Sequence, residues 1–211
     1  PEYFACAFDS KGKTFRHEMY KEYKANRPPM PDELQQQLPH LWEILDAMNI
    51  PVLKKDGVEA DDIIGTLAVR AQDDGLDTYI VSGDKDFMQL INENIFLYAP
   101  GTKKSPNPVI YDSKRVEEKW GVPPEKIIDL LGLMGDSSDN VPGVSGVGEK
   151  TAVKLIKKYG SLDGALENAD QVSNKRARTG LQEGAENARL SQDLVTIMLD
   201  VEINSSLDDL I

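Results

Sequence analysis

The sequence predicts an α/β fold built on a parallel sheet, followed by an all-helical C-terminal region. Three observations predict it. Short apolar runs alternate with segments of helical spacing through the first half of the chain. Several of those runs end in, or lead into, aspartate or glutamate. From Asp112 onward, helix start and stop signals follow one another with no strand between them.

The elements follow in order. Tyr3 to Phe8 is an unbroken apolar and aromatic run ending at Asp9, the pattern of a buried parallel strand. Residues 10–32 are polar and basic, and break at Pro28, Pro29 and Pro31; too few apolar residues occur for a core helix. Leu38, Leu41, Leu45 and Met48 give helical spacing over 34–48, and Pro51 to Leu53 is a short strand. Glu59, Asp61 and Asp62 open a helix through Ile63, Ile64, Leu67 and Ala68 that ends before Gly75. Thr78–Val81 and Ile95–Tyr98 are strands, with a short helix after Asp84-Lys85-Asp86. Asp112 caps a helix stopped at Gly121, and Pro123-Pro124 begins another through Met134. A long glycine-rich turn follows, then a helix from Glu149 to Tyr159 stopped by Gly160. Ser161 caps a short helix, and two more lie near 172–180 and 185–198. Three or four strands make a thin sheet, so a further first strand is expected ahead of Pro1.

Composition narrows the chemistry. The chain has 211 residues, 40% hydrophobic and 28% charged, as in an ordinary globular protein. One cysteine, Cys6, excludes a disulfide within the chain and a multi-cysteine zinc site. Two histidines, His17 and His40, exclude a histidine-rich metal site, so any metal here is held by oxygen. No run approaches the roughly 18 apolar residues of a membrane span. The net charge is −12, but local segments are basic: Lys11, Lys13, Arg16, Lys21, Lys24 and Arg27, then Lys150, Lys154, Lys157 and Lys158.

The acids fall where strands end. Asp9 closes the first strand, Glu59, Asp61 and Asp62 start a crossover helix, and Asp84 and Asp86 follow another strand. Asp136 and Asp139 follow the apolar helix that ends at Met134. In an open α/β sheet the carboxyl ends of the strands form one edge, where ligands bind. Carboxylates gathered there repel each other unless cations intervene, and oxygen-only ligands suit Mg²⁺ or Mn²⁺. Taken singly, Asp9 reads better as a strand-end or turn residue and the acids at 59–62 as helix-dipole partners, while Asp84 and Asp86 also fit a turn and Asp136 and Asp139 also fit caps.

Gly146-Val147-Gly148-Glu149-Lys150-Thr151-Ala152 puts a glycine turn before an amphipathic helix, as in a helix-hairpin-helix that grips duplex backbone without reading bases. Lys150, Lys154, Lys157 and Lys158 fall largely on one face of that helix. Lys175, Arg176 and Arg178 form a second cluster, read as a solvated helix face.

Six ordered motifs carry a resemblance. They are Phe8-Asp9, Tyr23-Lys24-Ala25-Asn26-Arg27, Val58 to Asp62, Gly83 to Asp86, Gly135 to Gly143 and Gly146 to Ala152. Together they resemble the 5′-nuclease domains of bacterial DNA polymerase I, a branch of the flap endonuclease family. The resemblance implies a PIN-like parallel-sheet nuclease core over 1–134, with a helical arch at about 10–40, and a helix-three-turn-helix duplex-binding region over 135–211. It implies Asp9, Glu59, Asp61 and Asp62 as one metal group, and Asp84, Asp86, Asp136 and Asp139 as the other. Two Mg²⁺ or Mn²⁺ ions are implied, with K⁺ among the carbonyls of the hairpin turn. Lys24 and Arg27 match residues that meet the scissile phosphate. Tyr23 is assigned either to base stacking or, equally, to packing, and Gly143, Gly146, Gly148, Lys150, Thr151 and Lys154 to the duplex. The implied activity is 5′-3′ exonuclease and 5′-flap endonuclease hydrolysis in Okazaki-fragment processing and excision repair. The implied partner is branched or nicked double-stranded DNA with a 5′ flap, and a covalently linked polymerase region. A bacterial, cytoplasmic, nucleoid-associated monomer with no membrane contact follows. Members of the family begin with a strand carrying a further aspartate, which this sequence does not include. A catalytically impaired DNA-structure-binding fragment is the alternative, with a Toprim-type acidic site behind it.

Overall fold

The computed structural model describes residues 1–103 and 105–210. Strand β1 is short, Cys6–Ala7, and the rest of the apolar run around it is not strand. Helix α1, Phe15–Met19, falls in the segment expected to hold no core helix. Its anchor is not apolar: Arg16 is buried at 2% exposure and draws the segment inward through charge. Helix α2 spans Asp32–Ala47, and β2, Val52–Leu53, pairs in parallel with β1, Cys6 opposite Val52. Helix α3, Ala60–Asp73, starts at Glu59 in a capping box: Asp62 turns back to accept the Glu59 N–H, satisfying a donor the helix start leaves free.

Strands β3, Thr78–Val81, and β4, Ile95–Ala99, pair in parallel, Thr78 opposite Ile95. Between them a 3-10 segment, Lys85–Leu90, replaces the expected short helix. Strand β5, Val109–Tyr111, is not evident from the sequence and runs antiparallel to β4. It is too short for periodicity to single out. Among the described residues the strands therefore form two pieces, β1-β2 and β3-β4-β5. Tyr79 is 54% and Val81 61% exposed, so one face of the larger piece is bare where a doubly wound sheet would be covered. Helix α2 is similarly thinly attached. Leu45 is buried and Trp42 meets Phe8 edge-on at 4.5 Å, while Leu34, Leu41, Ile44 and Met48 are exposed.

The helical region follows the sequence closely. Helix α4, Ser113–Trp120, has the Asp112 side chain accepting the Arg115 N–H and Gly121 in the left-handed conformation at its end. Helix α5, Ile127–Met134, is preceded by a 3-10 turn at Pro124–Lys126. Helix α6 is Glu149–Tyr159, with Gly160 left-handed after it, and α7 is Leu162–Glu167 under its Ser161 cap. Helices α8, Lys175–Glu183, and α9, Ala185–Val195, complete the order. Leu130, Leu133, Val116 and Leu162 are fully buried, and one continuous core joins them to Ile80, Ile95, Leu97 and Phe87 beside the sheet. Among the described residues, no helix is long and apolar enough to cross a membrane.

Candidate functional site

Four chain segments bring their acids to one region. Asp9 leaves β1 and its Oδ1 accepts the Ala60 N–H at 2.8 Å, fastening the strand end to the start of α3. Asp61 lies in the first turn of α3, with Glu59 just before it. Asp84 caps the 3-10 segment after β3, accepting the Asp86 N–H. Asp136 and Asp139 belong to a tight loop closed by paired backbone hydrogen bonds between Asp136 and Val141.

Their mutual influence is visible in proton affinity. Burial, then the neighbouring carboxylates Asp84, Glu59 and Asp9, push the Asp61 carboxyl up to about 7. Burial, then Asp84 with Asp136 and Asp139, pushes Asp86 up to about 7 as well. Asp84 thus acts on both groups, and one electrostatic field spans all of them. Asp136 is the exception: burial works against it, yet hydrogen bonds from Lys85 and the Ser138 N–H hold it below the usual carboxylate range.

Cations interleave with these acids. Lys24 Nζ donates to Glu59 Oε1 at 2.5 Å and lies 3.8 Å from Asp139. Arg27 pairs with Asp139, its Nε to Oδ1 distance being 3.0 Å. Lys85 pairs with Asp136 and lies 3.6 Å from Asp86. Lys85 is a site residue that the sequence expectations omit; its place inside an Asp-Lys-Asp triplet is the signal that could have found it. The segment expected as an arch lies along the acids over 14–27. The Lys24 N–H donates to the Asp139 carbonyl, Asn26 to the Ser137 carbonyl, and Asn140 to the Glu22 carbonyl.

Two site assignments change on this geometry. Asp62 is fully buried, and its oxygens accept two bonds from Arg16, the Glu59 N–H and the Met198 N–H. No lone pair is left for a metal, so Asp62 is a structural carboxylate. Tyr23 is 4% exposed, and its hydroxyl donates to Glu59 Oε2 at 3.1 Å. It packs and hydrogen-bonds inside the protein and offers no face to a base. In the sequence Arg16 is only one basic residue among several. In the structure it is the hub of this network: its Nε donates to Leu194 O at 2.8 Å and its Nη2 to Thr196 O at 2.7 Å.

The residues fit a hard divalent cation by donor chemistry. The set is oxygen only, Asp86 Oδ1 is buried with no hydrogen-bond partner, and burial with neighbouring carboxylates raises the proton affinity of Asp61 and Asp86, a strain that a cation would relieve. The acids are gathered rather than closed: among the described residues, no three histidine, cysteine, aspartate or glutamate side chains converge at metal-binding reach.

The hairpin lies between α5 and α6. Gly148 is exposed at the N-terminus of α6, Lys150 and Lys154 are exposed on that helix, and Thr151 is half-buried. Gly143 departs from the expectation. It is buried, its N–H donates to Ser191 Oγ at 2.8 Å, and a Cβ there would come within 2.5 Å of the Gly135 nitrogen. It closes the loop against α9 and is not available to a phosphate.

A family model described as "5'-3' exonuclease, N-terminal resolvase-like domain" matches residues 1–121, and one described as "5'-3' exonuclease, C-terminal SAM fold" matches 122–211. DNA polymerase I of Bacillus subtilis is 46% identical over 211 residues, covering all of this chain and 24% of that protein. DNA polymerase I of Caldicellulosiruptor bescii is 44% identical, with 25% of its length covered. The chain thus spans about a quarter of these relatives. A protein named 5'-3' exonuclease from Aquifex aeolicus is 40% identical over 210 residues, and this chain covers 70% of it. Among solved structures, T5 5'-exonuclease with bound zinc superposes with a TM-score of 0.76 at 22% identity, over 91% of this chain and 73% of that one. The catalytic core of Rad2 in complex with DNA gives 0.57 at 17% identity, over 95% and 65%. At these identities the likeness is one of fold.

Proposed function

The chain belongs to the 5′-3′ exonuclease family, and from that premise we propose that it is a metal-dependent nuclease that hydrolyses DNA at 5′ ends and 5′ flaps. One observation carries the reading: Asp9, Glu59, Asp61, Asp84, Asp86, Asp136 and Asp139 share one electrostatic field in which Lys24 and Arg27 are embedded.

Asp9, Glu59 and Asp61 would hold one divalent ion, Mg²⁺ or Mn²⁺, and Asp84, Asp86, Asp136 and Asp139 the second. When bound, such ions supply the charge that acidifies an attacking water and neutralises a departing oxygen. The protein's own residues do the rest. Lys24 and Arg27 bring fixed positive charge to the place where a phosphate must lie and stabilise charge that develops there. Tyr23 and Arg16 hold Glu59 in place from within. Lys150, Thr151 and Lys154, with the Gly146 and Gly148 turn, grip the duplex backbone, and K⁺ bound by turn carbonyls belongs to the same reading. In this division of labour, residues 1–134 cut and 135–211 hold duplex. The substrate is branched or nicked DNA with a 5′ flap, met in Okazaki-fragment processing and excision repair. A linked polymerase region, a monomeric state and a bacterial cytoplasmic, nucleoid-associated location complete the proposal.

The test uses a labelled 5′-flap duplex with Mg²⁺, Mn²⁺ or EDTA. Asp84→Asn lowers turnover by about 100-fold or more, the scale of one preorganised electrostatic group, while flap binding persists. Unchanged turnover would sink the assignment. The absence of a closed three-ligand cluster among the described residues favours a second reading, a DNA-structure-binding module without catalysis. That reading requires flap binding with no cleavage in either metal.

A further inference from the structure

Helix α8 lies directly on the hairpin. A Cβ at Gly146 would come within 2.5 Å of Arg176 Cγ and 3.1 Å of its Cδ, so the Arg176 stem crosses the turn in contact with its backbone. One helical turn later, a Cβ at Gly180 would fall 1.9 Å from the Ser145 carbonyl oxygen. Two glycines, one on each element, thus seat α8 on the turn: Gly146 leaves room for the Arg176 stem, and Gly180 lets the helix backbone approach the Ser145 carbonyl. Ala177 and Leu181 are buried on the seated side.

The charges on the first turn of α8 divide into two kinds. Arg178 has structural work, its Nε donating to the Val172 carbonyl at 2.8 Å. Lys175 and Arg176 are exposed, and among the described residues no carboxylate stands within ion-pairing distance of either. In a chain of net charge −12, an uncompensated Arg176 pressed against a glycine turn, with an uncompensated Lys175 next to it in sequence, is a local exception. Lys150 and Lys154 flank the same turn from α6 and are likewise unpaired among the described residues.

We propose that Lys175 and Arg176 form a second wall of the hairpin's grip and bind phosphates of the duplex backbone beside those held from α6. The inference rests on the nuclease reading, because it takes duplex DNA as the ligand. It replaces the solvated-face reading of this cluster. The contacts would be sequence-independent, since they address phosphate and not base edges.

Fluorescence anisotropy in EDTA with a blunt duplex, across a series of salt concentrations, tests it. The variants are Lys175→Gln, Arg176→Met, Arg176→Lys and the double Lys175→Gln/Arg176→Met; Met keeps the stem that packs on Gly146. The double variant binds about threefold to tenfold more weakly, and its log–log salt slope falls by about one for each phosphate it no longer neutralises. Arg176→Lys keeps the wild-type slope. Lys114→Gln, on the exposed face of α4, controls for loss of net charge. An unchanged affinity and slope in the double variant would overturn the proposal, as would weaker binding with an unaltered slope, which marks a distorted turn. Failure of the wild-type protein to bind duplex would overturn the nuclease reading instead, and this one with it.

Discussion

Arg16 decides the most at the level of a single residue. Its guanidinium is bidentate to Asp62 at 2.8 Å in both arms and also touches Glu59 at 3.3 Å. A buried pair of this kind adds little net stability against an apolar pair of equal volume, but removing one partner strands a charge. Arg16→Met is therefore expected to cost about 3–5 kcal/mol, read as a lower midpoint in urea denaturation. The carboxyls of Asp61 and Asp86 give a second test. Both are raised to about 7, so between pH 4 and 7 the folded protein keeps protons that the unfolded chain releases. Stability in EDTA is then highest on the acid side of this window, and falls as pH rises through about 7. Thermal melts from pH 5 to 8 should show the decline, Mg²⁺ should lessen it, and Asp61→Asn should flatten it.

Among the elements, α8 and the hairpin turn show how glycine placement fixes a contact. Alanine usually stabilises a helix relative to glycine by about 1 kcal/mol. At Gly180 the sign reverses, because the obstacle at 1.9 Å is the Ser145 carbonyl, a backbone atom that cannot swing aside. Gly180→Ala should destabilise by roughly 1–3 kcal/mol and weaken duplex binding. Gly148→Ala should be tolerated in stability, since nothing lies within 4 Å of its Cβ position and its φ is −98°. A loss of stability at Gly148 equal to that at Gly180 would refute the packing argument. The helices on either side are legible in the sequence because their ends carry chemical signals: Asp112 and Gly121 for α4, Gly160 for α6, Ser161 for α7. Strand β5 and helix α1 are not, because three and five residues are too few to establish a period. Helix α1 is also placed by an ion pair with a residue far away in sequence.

Considered as a whole molecule, the region of the site is readable and its inner wiring is not. Strand ends and helix starts meet at one edge of an α/β sheet, so the place of Asp9, Asp61, Asp84 and Asp86 follows from topology. Which acid faces the interior depends on partners remote in sequence. Asp61 and Asp62 are adjacent, yet Asp62 turns inward to Arg16, Glu59 and Met198, while Asp61 feels Asp84. Spacing alone carries no mark of that choice. Gly143 and Tyr23 escape assignment from sequence for the same reason: their hydrogen-bond partners, Ser191 and Glu59, are distant along the chain.

The division of the sheet has a dynamic consequence. β1 and β2 are held together by two residues each, and α2 reaches the interior mainly through Leu45 and Trp42. A layer with so few buried contacts is expected to open at a smaller free energy than β3, β4 and the helices packed on them. Asp9 rides on the loose layer, and Asp84, Asp136 and Asp139 on the firm one. Asp9 is therefore the one acid of the group whose place depends on the outer layer staying closed, and amide hydrogen exchange is expected to be faster in β1 and β2 than in β3 and β4.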